Sequence, residues 1–571
     1  MLFKMLKSLW FSRAKAADAN TTLLLDEIER LAADDLAGAV SLCQAAVKSY
    51  QQHPRLLTRL GSLLARAGRV EEARPILERM LRLDQDDYEA LFNLGAIALV
   101  EGRFQEAAQH LDHALMLHPD DAGLLTNRGQ AALGIGASEQ AAAFFRRALA
   151  VDPSSEKAAE QLFQLLMQQE AYEEALALVE RLVALAPTNG RFRRMKGYLL
   201  FKRFYEPEEA ERCYAYAEAS QSHDAQYWTE RGICARDRGE LAQAIDYFER
   251  ALNLSPQAPL ARFHRGLARL YREDYANGWA DYESRFADST LREIKLPGPR
   301  WQGEPLDGQC LTVVAEQGIG DEIMFASCLN ELPPDSRIGV TCSGKLLPIF
   351  RASFPACEVF DKDEVLPARL SSCRAIPIGS LPGLFRPTRE SFPRIPYLHA
   401  SDAGREKAQA FLGGLPSGQR IGISWRGGTE MSRRRLRTLP IEKLAELLGL
   451  PGINWISLQY GDCTDDLASL RQVPGVELRH PQELLDDYDA TAALVEGLDL
   501  VITVCTAIVH LAGALGKEVW VLAPKVPEWR YGLDFRFMPW YRQVEVLRQL
   551  SSGDWAALLG MVRQRLAGAG Q

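Results

Sequence analysis

Residues 126–133, TNRGQAAL, and 138–153, SEQAAAFFRRALAVDP, form one unit of a pattern that fills the first half of this 571-residue chain. Small and apolar residues recur in both stretches at helical spacing, and Pro153 closes the second. The same landmarks reappear at a fixed step on either side. Glycines fall at Gly61, Gly95, Gly129, Gly197, Gly232 and Gly266, and alanines at Ala39, Ala73, Ala107, Ala141, Ala175, Ala210 and Ala244. Pro119, Pro153 and Pro187 end successive units. The step is 34 residues, as from Gly61 to Gly95, and stretches to 35 between Gly197 and Gly232.

This is the period of a tetratricopeptide repeat, two amphipathic helices that bury their apolar faces only by stacking on neighbours. About eight units run from residue 22 to residue 288. The fourth puts Phe163 at the glycine register, and the last drifts to YANGWADYESRF with Gly278 at the alanine register. Asn93, Asn127 and Gln161 share one register, which Met195, Glu230 and His264 then break. An amide can hold a peptide backbone through a donor and an acceptor together. This short ladder resembles the asparagine ladder of O-GlcNAc transferase, which implies a groove for a protein partner. The competing use of the array is as a spacer or a dimerisation arm.

Composition narrows the classes. Charged residues make up 25% and hydrophobic residues 47%, as in a globular protein, and the net charge of -9 argues against nucleic-acid binding. No apolar run reaches the ~18 residues of a spanning helix. The leader, residues 1–21, opens MLFKMLKSLWFSRAK. It reads either as a packed leader or as an amphipathic basic helix making peripheral membrane contact through residues 1–15. The ten cysteines are scattered without metal-ligand spacing. Reduced thiols in a cytoplasmic protein are the expectation, with no metal site and no cofactor.

The helical period ends near residue 288, and LPGPRWQGEPLDG falls in a linker over 289–308. Apolar strand-like runs then alternate with helical segments: 311–315, 337–341, 420–425, 453–459, 499–504 and 518–523. That alternation predicts parallel sheets covered by helices. The expected fold is an α-solenoid followed by an α/β region of two Rossmann-like lobes, 309–382 and 398–571, joined by a Pro- and Arg-rich linker at 383–397. Ligands of such sheets lie beyond the carboxyl ends of the strands.

Three motifs sit at strand ends. EQGIGDEIMFA, 316–326, turns from strand to helix on Gly318 and Gly320. Asp321 is there either a helix cap or a proton acceptor for a substrate hydroxyl, and Glu316 is a second candidate base. ISWRGGTEMSRRRLRTLPIEKLAELL, 423–448, carries five arginines suited to a diphosphate. Arg426 and Arg437, which flank the loop, are the chosen pair, while Arg433, Arg434 and Arg435 include solvated positions. DLVITVCTAIVHLAGALGKEVWVLAP, 499–524, places Thr506 at a helix start, where the dipole and free N–H groups favour an anion. His510 lies one turn on, on the same face. Gln459 ends another strand, and Asp489, Thr491, Lys525 and Arg530 are weaker candidates.

Together these motifs resemble bacterial proteins that fuse tetratricopeptide repeats to a heptosyltransferase-like domain of GT-B type, a layout distantly similar to O-GlcNAc transferase. The stretch PRWQGEPLDGQCLTVVAEQGIGDEIMFA carries the closest likeness. The resemblance implies an inverting hexosyl- or heptosyltransferase that takes a nucleotide-sugar donor. Asp321 would be the base, and Gly320, Arg426, Arg437, Gln459, Thr506 and His510 would form the donor site. It also implies a protein acceptor held by the repeats, such as flagellin or another surface protein. Cys505 stands where that family's Asp-Thr-x-x-x-His element has its aspartate. That departure supports the alternative of a non-catalytic scaffold with a degenerate transferase-like domain.

Overall fold

The computed structural model describes residues 21–50, 53–218, 224–287, 294–370, 372–428, 434–534 and 536–569. Residues 1–20 of the leader, the linker residues 289–293 and Arg433 lie outside the described residues, as do the side chains of Arg434 and Arg435. The chain divides into two compact units, Met1–Ser222 and His223–Gln571.

The first unit consists of helix pairs, exemplified by Tyr88–Val100 with Phe104–Leu117 and by Ala122–Ile135 with Ser138–Val151. The periodic residues explain the packing. Ala39, Ala73, Ala107, Ala141, Ala175 and Ala210 are all fully buried. A Cβ added at Gly61, Gly95 or Gly129 would lie 2.4, 2.7 or 2.5 Å from the side chain of Leu77, Leu111 or Phe145 in the paired helix. Only hydrogen fits there. First helices are capped in the same way from unit to unit: Asp87, Asp121 and Ser155 accept from the backbone N–H three residues on. Neighbouring pairs are also tied by side chains, as between the Tyr88 hydroxyl and Asp121, 2.5 Å apart.

The second unit opens with two more helix pairs, Ala225–Asp237 with Leu241–Leu254 and Pro259–Tyr271 with Tyr275–Tyr282. A region of two parallel sheets follows. The first has strands β1 (Leu311–Val314), β2 (Ile338–Cys342), β3 (Cys357–Asp361) and β4 (Arg374–Pro377) in the order β3-β2-β1-β4. The second has β5 (Gln419–Ser424), β6 (Ile453–Ser457), β7 (Leu478–Arg479), β8 (Leu500–Val504), β9 (Val519–Ala523) and β10 (Val544–Arg548), in the order β10-β9-β8-β5-β6-β7. Strand order reverses at β1/β4 in one sheet and at β5/β8 in the other. Crevices open at such reversals, because consecutive crossovers leave to opposite faces.

The last helix pair belongs to the core of this region. Trp279 is 3% exposed and packs edge-on against Phe325, Trp529 and Trp540, and its indole N–H donates to the Arg386 carbonyl at 2.9 Å. Burying such a ring contributes on the order of 2–3 kcal/mol. The departure YANGWADYESRF from the repeat pattern is therefore an adaptation to a non-repeat neighbour.

The expectation that all cysteines are reduced is corrected. Cys310 and Cys373 form a disulfide. They immediately precede β1 and β4, which pair in parallel with Leu311 opposite Arg374, so tertiary pairing joins cysteines 63 residues apart. The other eight are free, and burial pushes the Cys328 and Cys342 thiols up to about 12. Among the described residues no helix is long and apolar enough to cross a membrane, and no cluster of His, Cys, Asp and Glu could hold a metal ion.

Candidate functional site

The turn after β1 is set by Gln317, whose φ of 63° puts a non-glycine residue in the left-handed region. Such strain persists only where surrounding contacts impose it. Here the Gln317 amide exchanges hydrogen bonds with the Tyr282 hydroxyl at 2.8 and 3.1 Å. Gly318 and Gly320 have ordinary negative φ. Gly320 lies instead at a close approach, since a Cβ there would sit a tight 3.1 Å from His510 Cδ2 and 3.4 Å from Ala507 Cα. The helices Ile319–Ala326 and Ala507–Ala514 thus bring their N-terminal turns together beyond the carboxyl ends of β1 and β8.

Gly318, not Asp321, holds the cap position of the first of these helices, which overturns the cap reading of Asp321. The Asp321 carboxylate instead pairs with Arg530, Oδ1 to Nη2 at 2.5 Å, and its side chain is 16% exposed. Burial pulls the pKa of Arg530 down, but Asp321, Tyr531 and Glu528 outweigh it and hold the guanidinium charged. Glu316 is differently placed. Both its oxygens face Arg285, at 2.5 and 2.8 Å, and Oε1 also accepts from the Gly379 N–H at 2.8 Å. A carboxylate with both oxygens engaged inside the fold braces the turn, which counts against its candidacy as a base.

In the second sheet Thr506 caps the helix Ala507–Ala514, its hydroxyl accepting from Ile508 N–H at 3.2 Å. Ser424 and Thr503 pair across β5 and β8, so the loop after β5 lies beside Thr506. A Cβ at Gly427 would come 2.3 Å from Thr506 Cγ2. Arg437 reaches the Cys505 carbonyl at 3.1 Å and pairs with Glu528 at 2.5 Å. Gln459 organises this loop: its Oε1 accepts from the Trp425 and Arg426 N–H groups at 3.1 and 3.0 Å. Arg426 is turned onto Asp466 at 3.1 Å and onto the Asp462 carbonyl. His510 is 2% exposed and bonds the Tyr541 hydroxyl through Nδ1 at 3.2 Å. Burial, with Arg530 nearby, holds its pKa well below the usual histidine range, so the ring is neutral. Burial likewise raises the Cys505 thiol well above its ordinary range.

The structure therefore assembles Gly320, Asp321, Arg437, Thr506 and His510, with Gln459 behind the loop. Arg530 joins them as the partner of Asp321, and Glu528 as the partner of Arg437. Asp489 is spent on the Ser401 N–H at 2.9 Å and Thr491 on the Leu484 carbonyl at 2.8 Å, and both are buried; Asp487 is the cap of their helix. Lys525 is exposed. Asn93, Asn127 and Gln161 belong to the other compact unit: the Asn93 amide bonds its own helix at Glu89 O, Asn127 accepts from Lys157, and Gln161 is half-buried.

A cavity of about 180 Å³ adjoins the arginine loop, lined by Arg236, Leu267, Tyr271, Arg437, Glu528 and Trp529 among others. One wall is thus the last two helix pairs and the other the segment after β9. A larger hollow, about 540 Å³, lies against the helix Asp402–Gly413 and Arg420, at the amino end of β5, opposite the strand ends where ligands of open α/β sheets gather.

Comparison with known proteins bears mainly on the first half. Two sequence profiles described as tetratricopeptide repeat match residues 28–88, 58–122 and 206–259, and residues 98–162 and 136–199. The N-terminal half is therefore built of tetratricopeptide repeats, which point to protein partners. The chain is 31% identical over 362 residues to Protein FlbA of Caulobacter vibrioides, over 59% of this chain and 60% of the relative. It thus spans less than two thirds of the length of that relative. A tetratricopeptide repeat protein from Parabacteroides merdae is similar with TM-score 0.34 and 19% identity, over 43% of this chain and 98% of that one. PilF of Pseudomonas aeruginosa is similar with TM-score 0.33 and 19% identity, over 37% and 95%.

Proposed function

We propose that the second unit is a GT-B glycosyltransferase that moves a sugar from a nucleotide-sugar donor to a protein acceptor. The observation that carries this reading is the charge arrangement between the two sheets. Two helix N-termini meet at Gly320 and Ala507, and the ion pairs Arg437–Glu528 and Arg530–Asp321 stand beside them. Helix ends and guanidinium groups together favour an anion with several oxygens, such as the diphosphate of a donor. They would stabilise the charge that develops on the departing diphosphate. Asp321 takes the proton of the acceptor hydroxyl in this reading, a contribution of ~10²–10⁴-fold. Thr506 and Arg437 bind the phosphates, and Gln459 holds the loop that shapes this side of the crevice. Neutral His510 offers a hydrogen bond rather than charge.

The test is incubation of the purified full chain with radiolabelled nucleotide-sugars. Hydrolysis or transfer that disappears in Asp321→Ala supports the enzyme. One observation favours a second reading, a non-catalytic nucleotide-binding scaffold: the position of the family's aspartate is held by the buried thiol Cys505. Donor binding without turnover across the panel would establish that reading instead.

A further inference from the structure

The ion pair that holds Asp321 is also what must open if Asp321 is to act, and the structure indicates what opens it. Resting on the donor-site reading above, we propose that Arg530 is a partner-exchanging residue: the donor diphosphate draws its guanidinium off Asp321 and thereby frees the base.

Three features support the exchange. First, Asp321 engages the guanidinium through a single nitrogen, Nη2. A guanidinium presents five N–H donors in a planar fork, and a carboxylate holding one of them competes poorly with a diphosphate that can accept two or more. Second, Arg530 Nε is buried and has no acceptor, and Glu528 Oε2, two residues away, is buried and has no donor. The orphaned Nε leaves the guanidinium a donor to offer a diphosphate oxygen when it turns. Third, the segment that carries both residues is anchored from behind. The Tyr271 hydroxyl donates to the Pro527 carbonyl, Trp529 packs on Trp279, and the Arg548 guanidinium holds the Gly532 carbonyl at 2.8 Å. These contacts fix the backbone, so an exchange of partners falls to the arginine side chain, which is 18% exposed.

The chemistry balances. The acceptor hydroxyl oxygen bonds to the anomeric carbon of the sugar, and the bond from that carbon to the diphosphate oxygen breaks. Its electron pair leaves on the diphosphate, where Arg530 now sits, and the hydroxyl proton passes to the vacated Oδ1 of Asp321. An empty site thus keeps its base closed, which limits reaction in the absence of donor.

The test is isothermal titration of the full chain and its variants with UDP, GDP, ADP and inorganic pyrophosphate. For the probe that binds wild type, Asp321→Asn should bind about tenfold tighter, because Arg530 loses its internal counter-charge, and Arg530→Gln about tenfold weaker. The double variant should bind as weakly as Arg530→Gln alone. Unchanged affinity in Asp321→Asn, with wild type still binding, overturns the exchange and leaves the donor site standing. Failure of every probe to bind wild type removes the donor site and the exchange together. Thermal melts verify folding; if Arg530→Gln does not fold, the Asp321→Asn titration decides.

Discussion

The repeats of the first unit and the last helix pair of the second follow one sequence rule and end in different chemistry. In the first unit the register residues are interchangeable parts: buried alanines, and glycines pressed on Leu77, Leu111 or Phe145. The last pair and the short 3-10 turn after it, Glu283–Ala287, carry Trp279, Tyr282 and Arg285, and each touches the sheet region. Arg285 has no exposed side-chain surface and holds Glu316, while Tyr282 holds the strained Gln317. A repeat that drifts from its consensus has here become a bracket for the turn that carries Asp321.

The sharpest way to break this comparison is Arg285→Ala. It leaves the Glu316 carboxylate buried with its ion pair gone, which costs ~3–5 kcal/mol. Urea denaturation should show the loss in the second unit. A loss below 1 kcal/mol would mean that the last pair only covers the sheets. Next in size, Gly129→Val forces a side chain against Phe145, whose nearest ring atom would be 2.5 Å from the new Cβ. The expected loss is ~1–3 kcal/mol, confined to the first unit. Partner capture by the repeats should weaken in proportion.

Smaller still is a pH effect. His510 has a lowered pKa in the folded chain, so between that value and the unfolded value of ~6.5 the unfolded chain binds the extra proton. Stability is complete above pH 6.5 and falls as the pH drops through it. His510→Gln should flatten the pH 5–7 portion of the stability curve, measured by denaturation at several pH values. An unchanged slope would show that other groups set it.

The two regions also differ in how much of them the sequence reveals. Helix pairs are local, so the Gly and Ala register reads directly along the chain. Strands β5, β6, β8 and β9 read as apolar runs because they are buried on both faces. β3, β4 and β10 are half-exposed or carry charge and do not stand out: Glu545 in β10 is paired by Arg536 and Arg565. The strand-end motifs were visible, but their partners were not. Arg285 lies 31 residues from Glu316, and Arg530 lies 209 residues from Asp321. Only the fold sets such pairs. Asp321 resembled a cap because a Gly-Asp step commonly starts a helix; the left-handed Gln317 starts this one earlier.

A diphosphate site at the helix N-termini beyond β1 and β8 would bind a nucleotide. Thermal denaturation of the full chain with a panel of nucleoside diphosphates tests it most directly. At least one should stabilise the second unit, by ~2.7 kcal/mol at a hundred times its Kd, and Arg437→Ala with Thr506→Val should abolish the shift. No shift with any nucleotide, or a shift that survives both substitutions, would contradict it.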